Sequence, residues 1–147
     1  MPLRHFRSAV AKDFNALATG KVTRTSADIT TTSTTFVDAT EMSVTLTIGA
    51  RRCLVTVSAS GKHSASDTIC MDITIDGVRQ GQDLGLIFAD SLTGQNRNLS
   101  FSYVTSVLAA GSHTFKLQHK TATSGTMTLY ASTTTCPLIL SVVELPH

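Results

Sequence analysis

SVTLTIGARRCLVTVSAS, residues 43–60, alternates aliphatic and hydroxyl side chains on both sides of one short break. Val44, Leu46 and Ile48 share one parity, and Ser43, Thr45 and Thr47 the other. After Gly49, the residues Cys53, Val55, Val57 and Ala59 alternate with Leu54, Thr56, Ser58 and Ser60. A period of two puts successive side chains on opposite faces, so each half reads as a half-buried strand. The pattern returns at residues 70–75, where Met71, Ile73 and Ile75 alternate with Cys70, Asp72 and Thr74. Asp76-Gly77 follows directly and predicts a tight hairpin turn. Residues 34–38, 84–88, 99–107, 112–120 and 126–130 read as further strands. Gly49, Gly61, Gly81, Gly94, Gly111 and Gly125 punctuate them at the spacing of an all-β sandwich. The expected fold is an antiparallel jelly-roll β-sandwich of about eight or nine strands, with an immunoglobulin-like sandwich second.

The closing stretch LILSVVEL, residues 138–145, is apolar on both parities. Such a strand belongs mid-sheet with both faces covered. A two-sheet sandwich covers one face only, so the other calls for a partner outside the domain.

The chain's 147 residues suit one domain with its own core. Only 15% are charged, against about 25% in ordinary soluble domains, and 24 Thr and 16 Ser fill the difference. Hydroxyls solvate a surface yet cost less to desolvate than Lys or Glu, which suits a face destined for an interface. Residues 1–24 carry Arg4, Arg7, Lys12, Lys21 and Arg24 against Asp13 alone. The rest holds seven basic and nine acidic residues, so a basic leader precedes a mildly acidic body. Within the leader, Leu3, Phe6, Val10, Phe14 and Leu17 recur at spacings of three and four. That is the stripe of a short amphipathic helix ended by Gly20, or of an extended arm with spaced anchors. Residues 1–24 thus read as an anchoring arm and 25–147 as the sandwich.

Chemistry is sparse. Cys53, Cys70 and Cys136 are odd in number and lack C-x-x-C spacing, and strand phase points Cys53 inward and Cys70 outward. His113 and His119 share a parity, but six strand residues hold them about 20 Å apart, too far for one ion. There is no Gly-x-Ser-x-Gly elbow. Ser60-Gly61-Lys62-His63 lacks the flanking residues of a phosphate loop and reads as a polar turn. No catalytic, cofactor or metal site is expected, and the chain does not read as an enzyme. No apolar run reaches a membrane span's length, and the leader lacks a signal-peptide core, which predicts synthesis in a reducing cytoplasm. Five basic residues with no aromatic-interleaved sheet argue against nucleic acid. The loops at 59–68 and 89–100 carry Asp, Asn, Gln and Arg suited to sugar hydroxyls.

TTSTTFVDATEMSVTLTI (31–48), AAGSHTFKLQHKT (109–121) before a Gly-Thr hairpin, and the closing LILSVVEL occur in that order. Together they resemble the trimeric jelly-roll domains of the tumour-necrosis-factor and complement-head type carried by tailed-bacteriophage structural proteins. The resemblance implies a virion protein made in the host cytoplasm: a homotrimeric capsid decoration or cement protein that docks on the major capsid protein or another virion protein. Leu3, Arg4, Phe6, Arg7, Val10, Phe14 and Leu17 would anchor it, and Phe101, Tyr103, Ile139, Val142, Val143 and Leu145 would face sister subunits. The alternative it implies is a tail-fibre or head-fibre tip that recognises a host surface glycan or protein.

Overall fold

In a computed structural model, which describes residues 17–132 and 136–146, the chain folds as strands joined by turns, with no helix among the described residues. The strands are β1 Thr19–Arg24, β2 Ile29–Thr31, β3 Val37–Ile48, β4 Cys53–Ser58, β5 Ser60–His63, β6 Asp67–Ile75 and β7 Val78–Arg79. They continue with β8 Ile87–Ser91, β9 Arg97–Asn98, β10 Phe101–Val104, β11 Gly111–Thr121, β12 Met127–Leu129 and β13 Leu138–Glu144. One group is ordered β1-β13-β4-β10 and another β2-β12-β5-β9. These are the same four passages of chain, each broken at one level. Ala59 alone separates β4 from β5, and Leu99-Ser100 separate β9 from β10. At that level loop groups take over the ladder: Leu99 N–H donates to the Ala59 carbonyl at 3.0 Å, and Ala131 N–H to Asp28 Oδ1 at 2.9 Å.

The facing sheet is ordered β3-β11-β6-β7, with β8 also pairing β6. Pairing the first, last, third and sixth passages in one sheet, and the second, seventh, fourth and fifth in the other, is the jelly-roll arrangement. Its core lies between them, with Val55, Val57, Leu138, Leu140 and Val142 from one side and Ile69, Met71, Ile73, Phe115 and Leu117 from the other. The sheets come close at Gly20, where a Cβ would lie 2.6 Å from Val44 Cγ1. The expected turn is present: Asp76 and Gly77 both have positive φ, at 52° and 83°, as a two-residue hairpin loop requires.

Several elements depart from the sequence reading: within 34–38 only Val37 and Asp38 are strand, and within 84–88 only Ile87 and Phe88. Residues 19–24, the end of the expected arm, are β1, held along its whole length by β13. Ser60–His63, expected as a turn, is β5, paired to both β12 and β9. β3 carries a bulge: pairing jumps from Ser43↔Lys116 to Asp38↔Gln118, and Glu41 takes φ 63°. Arg24 Nη1 donates to Glu41 Oε2 there, tying the end of β1 to the bulge.

β13 is interior, between β1 and β4, as its composition demanded. The strand that the fold itself covers on both faces is β6, where residues 69–75 are all buried. Its outward Asp72 accepts from Arg79 Nε at 2.8 Å and Gly81 N–H at 2.9 Å, so the connection after the hairpin folds back over it. Phe36 sits on the same side, with Arg79 4.0 Å and Lys120 5.0 Å from its ring. Cys53 lies in the core and Cys70 on the opposite face of its sheet, and the described cysteines are all free.

Candidate functional site

The outward face of the β1-β13-β4-β10 sheet follows from its registers. Thr19, Val143, Leu54 and Val104 form one row across it. Lys21, Ser141, Thr56 and Ser102 form the next, and Thr23, Ile139 and Ser58 the third. Lys21 is the single charge in these rows. Val143 is 37% exposed and Val104 48%, while Leu54 and Ile139 are half-buried. The face is therefore aliphatic at one end and hydroxylated through the middle. Covering it would remove apolar area from water and desolvate mostly hydroxyls, the least costly polar groups to bury.

The six residues expected at a subunit contact divide. Ile139 and Val143 stand on this face, and half-buried Leu145 follows β13, its N–H donating to the Arg52 carbonyl at 2.8 Å. Val142 has no exposure and packs in the core with Leu138 and Leu140. Phe101 and Tyr103 pair with Val57 and Val55 and so share the inward parity of β10. Phe101 packs against the core, and Tyr103 Oη donates to Gln80 Oε1 at 3.1 Å. Leu54 and Val104 were not among the expected contacts. The signal for both was an aliphatic side chain on the hydroxyl parity of its strand. Of the anchoring stripe, Leu3, Arg4, Phe6, Arg7, Val10 and Phe14 lie outside the described residues. Leu17 is half-buried just before β1.

The opposite end of the sandwich holds the densest polar cluster. Asp67 Oδ2 accepts from Thr121 Oγ1 at 2.5 Å, Thr123 N–H at 2.9 Å and Ser124 N–H at 3.0 Å. Its Oδ1 accepts from Thr68 N–H at 2.7 Å. Burial raises the Asp67 pKa, but these donors outweigh it and hold the carboxyl well below the usual carboxylate range. With the Thr121 proton given to Asp67, fully buried His63 donates from Nε2 to Thr121 Oγ1 at 3.1 Å. Its Nδ1 then accepts from Ala65 N–H at 3.1 Å, which assigns the tautomer. The hydroxyl stands between imidazole and carboxylate on a residue with no exposure, so this is a structural staple and not a nucleophile with its base. At the other end, His113 Nδ1 lies 2.6 Å from Asp76 Oδ2 and its Nε2 2.9 Å from the Ala109 carbonyl. These contacts raise the His113 pKa, the carbonyl first and the carboxylate second. No three His, Cys, Asp or Glu side chains among the described residues group as metal ligands.

No family model and no curated protein matches the sequence. Solved structures do. The structure of the Gx strain of infectious bursal disease virus is 12% identical over 88% of this chain and 36% of that chain, with a TM-score of 0.44. T=1 particles derived from infectious bursal virus show 12% identity over the same shares, at 0.47. The VP2 subviral particle of infectious bursal disease virus shows 12% identity over 88% and 38%, at 0.44. This chain spans little more than a third of the length of each.

Proposed function

We propose that the protein is a structural component of a phage virion that works by burial and not by catalysis: a homotrimeric decoration protein seated on the capsid through residues 1–17. The observation that carries this reading is the outward face of the β1-β13-β4-β10 sheet, with one cation in three rows of aliphatic and hydroxyl side chains. Copies of the same face suit it, because each brings a single charge, Lys21, which stands on the edge strand β1 and can reach past a contact to water. A stable contact needs about 800 Å² from each subunit, about 20–30 residues, so it would extend beyond these rows onto neighbouring loops. The leader supports the docking half of the proposal through its spaced apolar anchors beside Arg4, Arg7 and Lys12. A partner that binds only the assembled shell stabilises that shell by mass action.

Light scattering on the purified full chain tests the first half, with a trimer expected at micromolar concentration; a monomer overturns it. Removing residues 2–16, which stops short of β1, tests the second. The truncated chain keeps its assembly state and loses capsid binding. Adhesion of the truncated trimer to host cells would instead favour the second reading, a fibre tip that recognises a surface glycan or protein. Polar loops at the end of the sandwich opposite Ala18 favour that alternative.

A further inference from the structure

A cavity of about 480 Å³ opens where β6 begins, β8 ends and β9 starts, lined by Asp67, Thr68, Asp90, Leu92, Arg97 and Thr123 among others. Both Asp67 oxygens are already occupied by protein donors. Asp90 is exposed and accepts once, from Thr68 Oγ1 at 2.6 Å on Oδ1, so its other oxygen has no protein donor among the described residues. Arg97 gives Nη2 to Gln95 Oε1 at 3.1 Å, while its Nε is buried without an acceptor. A carboxylate and a guanidinium with spare capacity thus line one cavity without pairing to each other.

That combination selects its occupant. A phosphate or sulfate would face two carboxylates, and a simple cation would face the guanidinium. A neutral polyhydroxyl compound suits both, since each hydroxyl can donate to Asp90 and accept from Arg97. Leu92, 57% exposed at the rim, offers an apolar surface to the C–H face of a sugar ring. The volume lies in the range of small-molecule sites and accommodates one or two pyranose units. The position is favourable too. Residues 1–17 join the fold at Ala18, at the far end of the sandwich, so a chain anchored there presents this cavity outward.

We propose that this cavity is a binding site for a neutral saccharide, held by Asp90 and Arg97 over Leu92. The site shares no residue with the outward sheet face, so it stands or falls independently of self-assembly.

The test is titration of the 15N-labelled full chain with the methyl glycosides of glucose, mannose and galactose and with N-acetylglucosamine, with glycine as a zwitterionic control. At least one sugar is expected to shift the amide signals of Thr68, Leu92 and Thr123 saturably, with a Kd of about 1–10 mM for a monosaccharide. Asp90→Ala and Arg97→Met should each weaken that binding about tenfold or more, with spectra otherwise superimposable on the parent. Arg97→Lys, which keeps the charge and a donor, should bind in between. Absence of saturable shifts with all four sugars overturns the proposal. So does binding that survives both substitutions, or glycine binding at the same amides as tightly as any sugar.

Discussion

Glu144 holds the backbone of Ala18 from both sides: Ala18 N–H donates to Glu144 Oε2 at 2.9 Å, and Glu144 N–H donates to the Ala18 carbonyl at 2.8 Å. The same carboxylate accepts from Gly49 N–H at 2.8 Å and lies 3.7 Å from Arg51 Nε. One nearly buried acid at the end of β13 thus fastens the start of β1 to the turn after β3.

Glu144→Ala leaves at least two backbone N–H groups without their acceptor, at about 1–3 kcal/mol each. The expected loss is about 2–4 kcal/mol in urea denaturation, with Glu144→Gln losing less. A change under about 0.5 kcal/mol for the alanine variant would show that water replaces the carboxylate freely.

Val142 and Val143 are sequence neighbours with opposite fates, because alternation sends one into the core and the other onto the outward face. Val142→Asp places an unpaired charge in the core and should cost several kcal/mol, enough to unfold many domains of this size. Val143→Asp should leave the melting of the isolated subunit within about 0.5 kcal/mol while breaking the proposed trimer, read by light scattering. Equal assembly of Val143→Asp and parent would falsify the placement of the contact on this face.

Thr121→Val removes the hydroxyl that Asp67 and His63 share and leaves both with an unmet partner. A loss of about 2–3 kcal/mol is expected, with Thr121→Ser close to the parent. Similar stabilities for the valine and serine variants would mean that the staple contributes by packing alone.

Stability should fall on mild acidification. His119 is buried at the inner face of β11, its Nδ1 has no hydrogen-bond partner, and burial pushes its pKa down to about 4. The unfolded chain titrates near 6.5 and so binds the extra proton between the two values. Stability therefore drops as pH falls from about 6.5 toward 4, by about 2 kcal/mol between pH 7 and pH 5. His113 has the opposite sign: its raised pKa gives stability that is complete below about 6.5 and lost as pH rises through the folded value. The depressed Asp67 acts lower still, its contribution lost as pH falls below the ordinary carboxylate range. Denaturation curves at pH 5, 6 and 7 for parent and His119→Met check this. An acid slope of the same size in His119→Met would assign it to another group.

Much of the sandwich could be read from residues 43–60 and 70–75 because a half-buried strand prints its own period. β1 and β5 print none. TGKVTR offers one aliphatic, Val22, and SGKH offers no aliphatic at all, so neither reveals which face is inward. Both are strands because neighbours already in place accept their backbone pairing, an effect without a local signature. The contact residues divided for a related reason. Composition showed that both parities of residues 138–145 are apolar, but not that Phe101 and Tyr103 turn inward. That depends on the β10–β4 register.

By itself, then, the sequence determined the class of fold, the Asp76-Gly77 hairpin and the inner position of the last strand. Each depends on side-chain period or turn stereochemistry within a few residues. Tertiary structure alone decided that Asp90 and Arg97 line one cavity unpaired, that Thr121 stands between His63 and Asp67, and that Leu54 and Val104 join Val143 in one row. Those relationships join residues far apart along the chain, and only closing the two sheets on one another sets the distances between them.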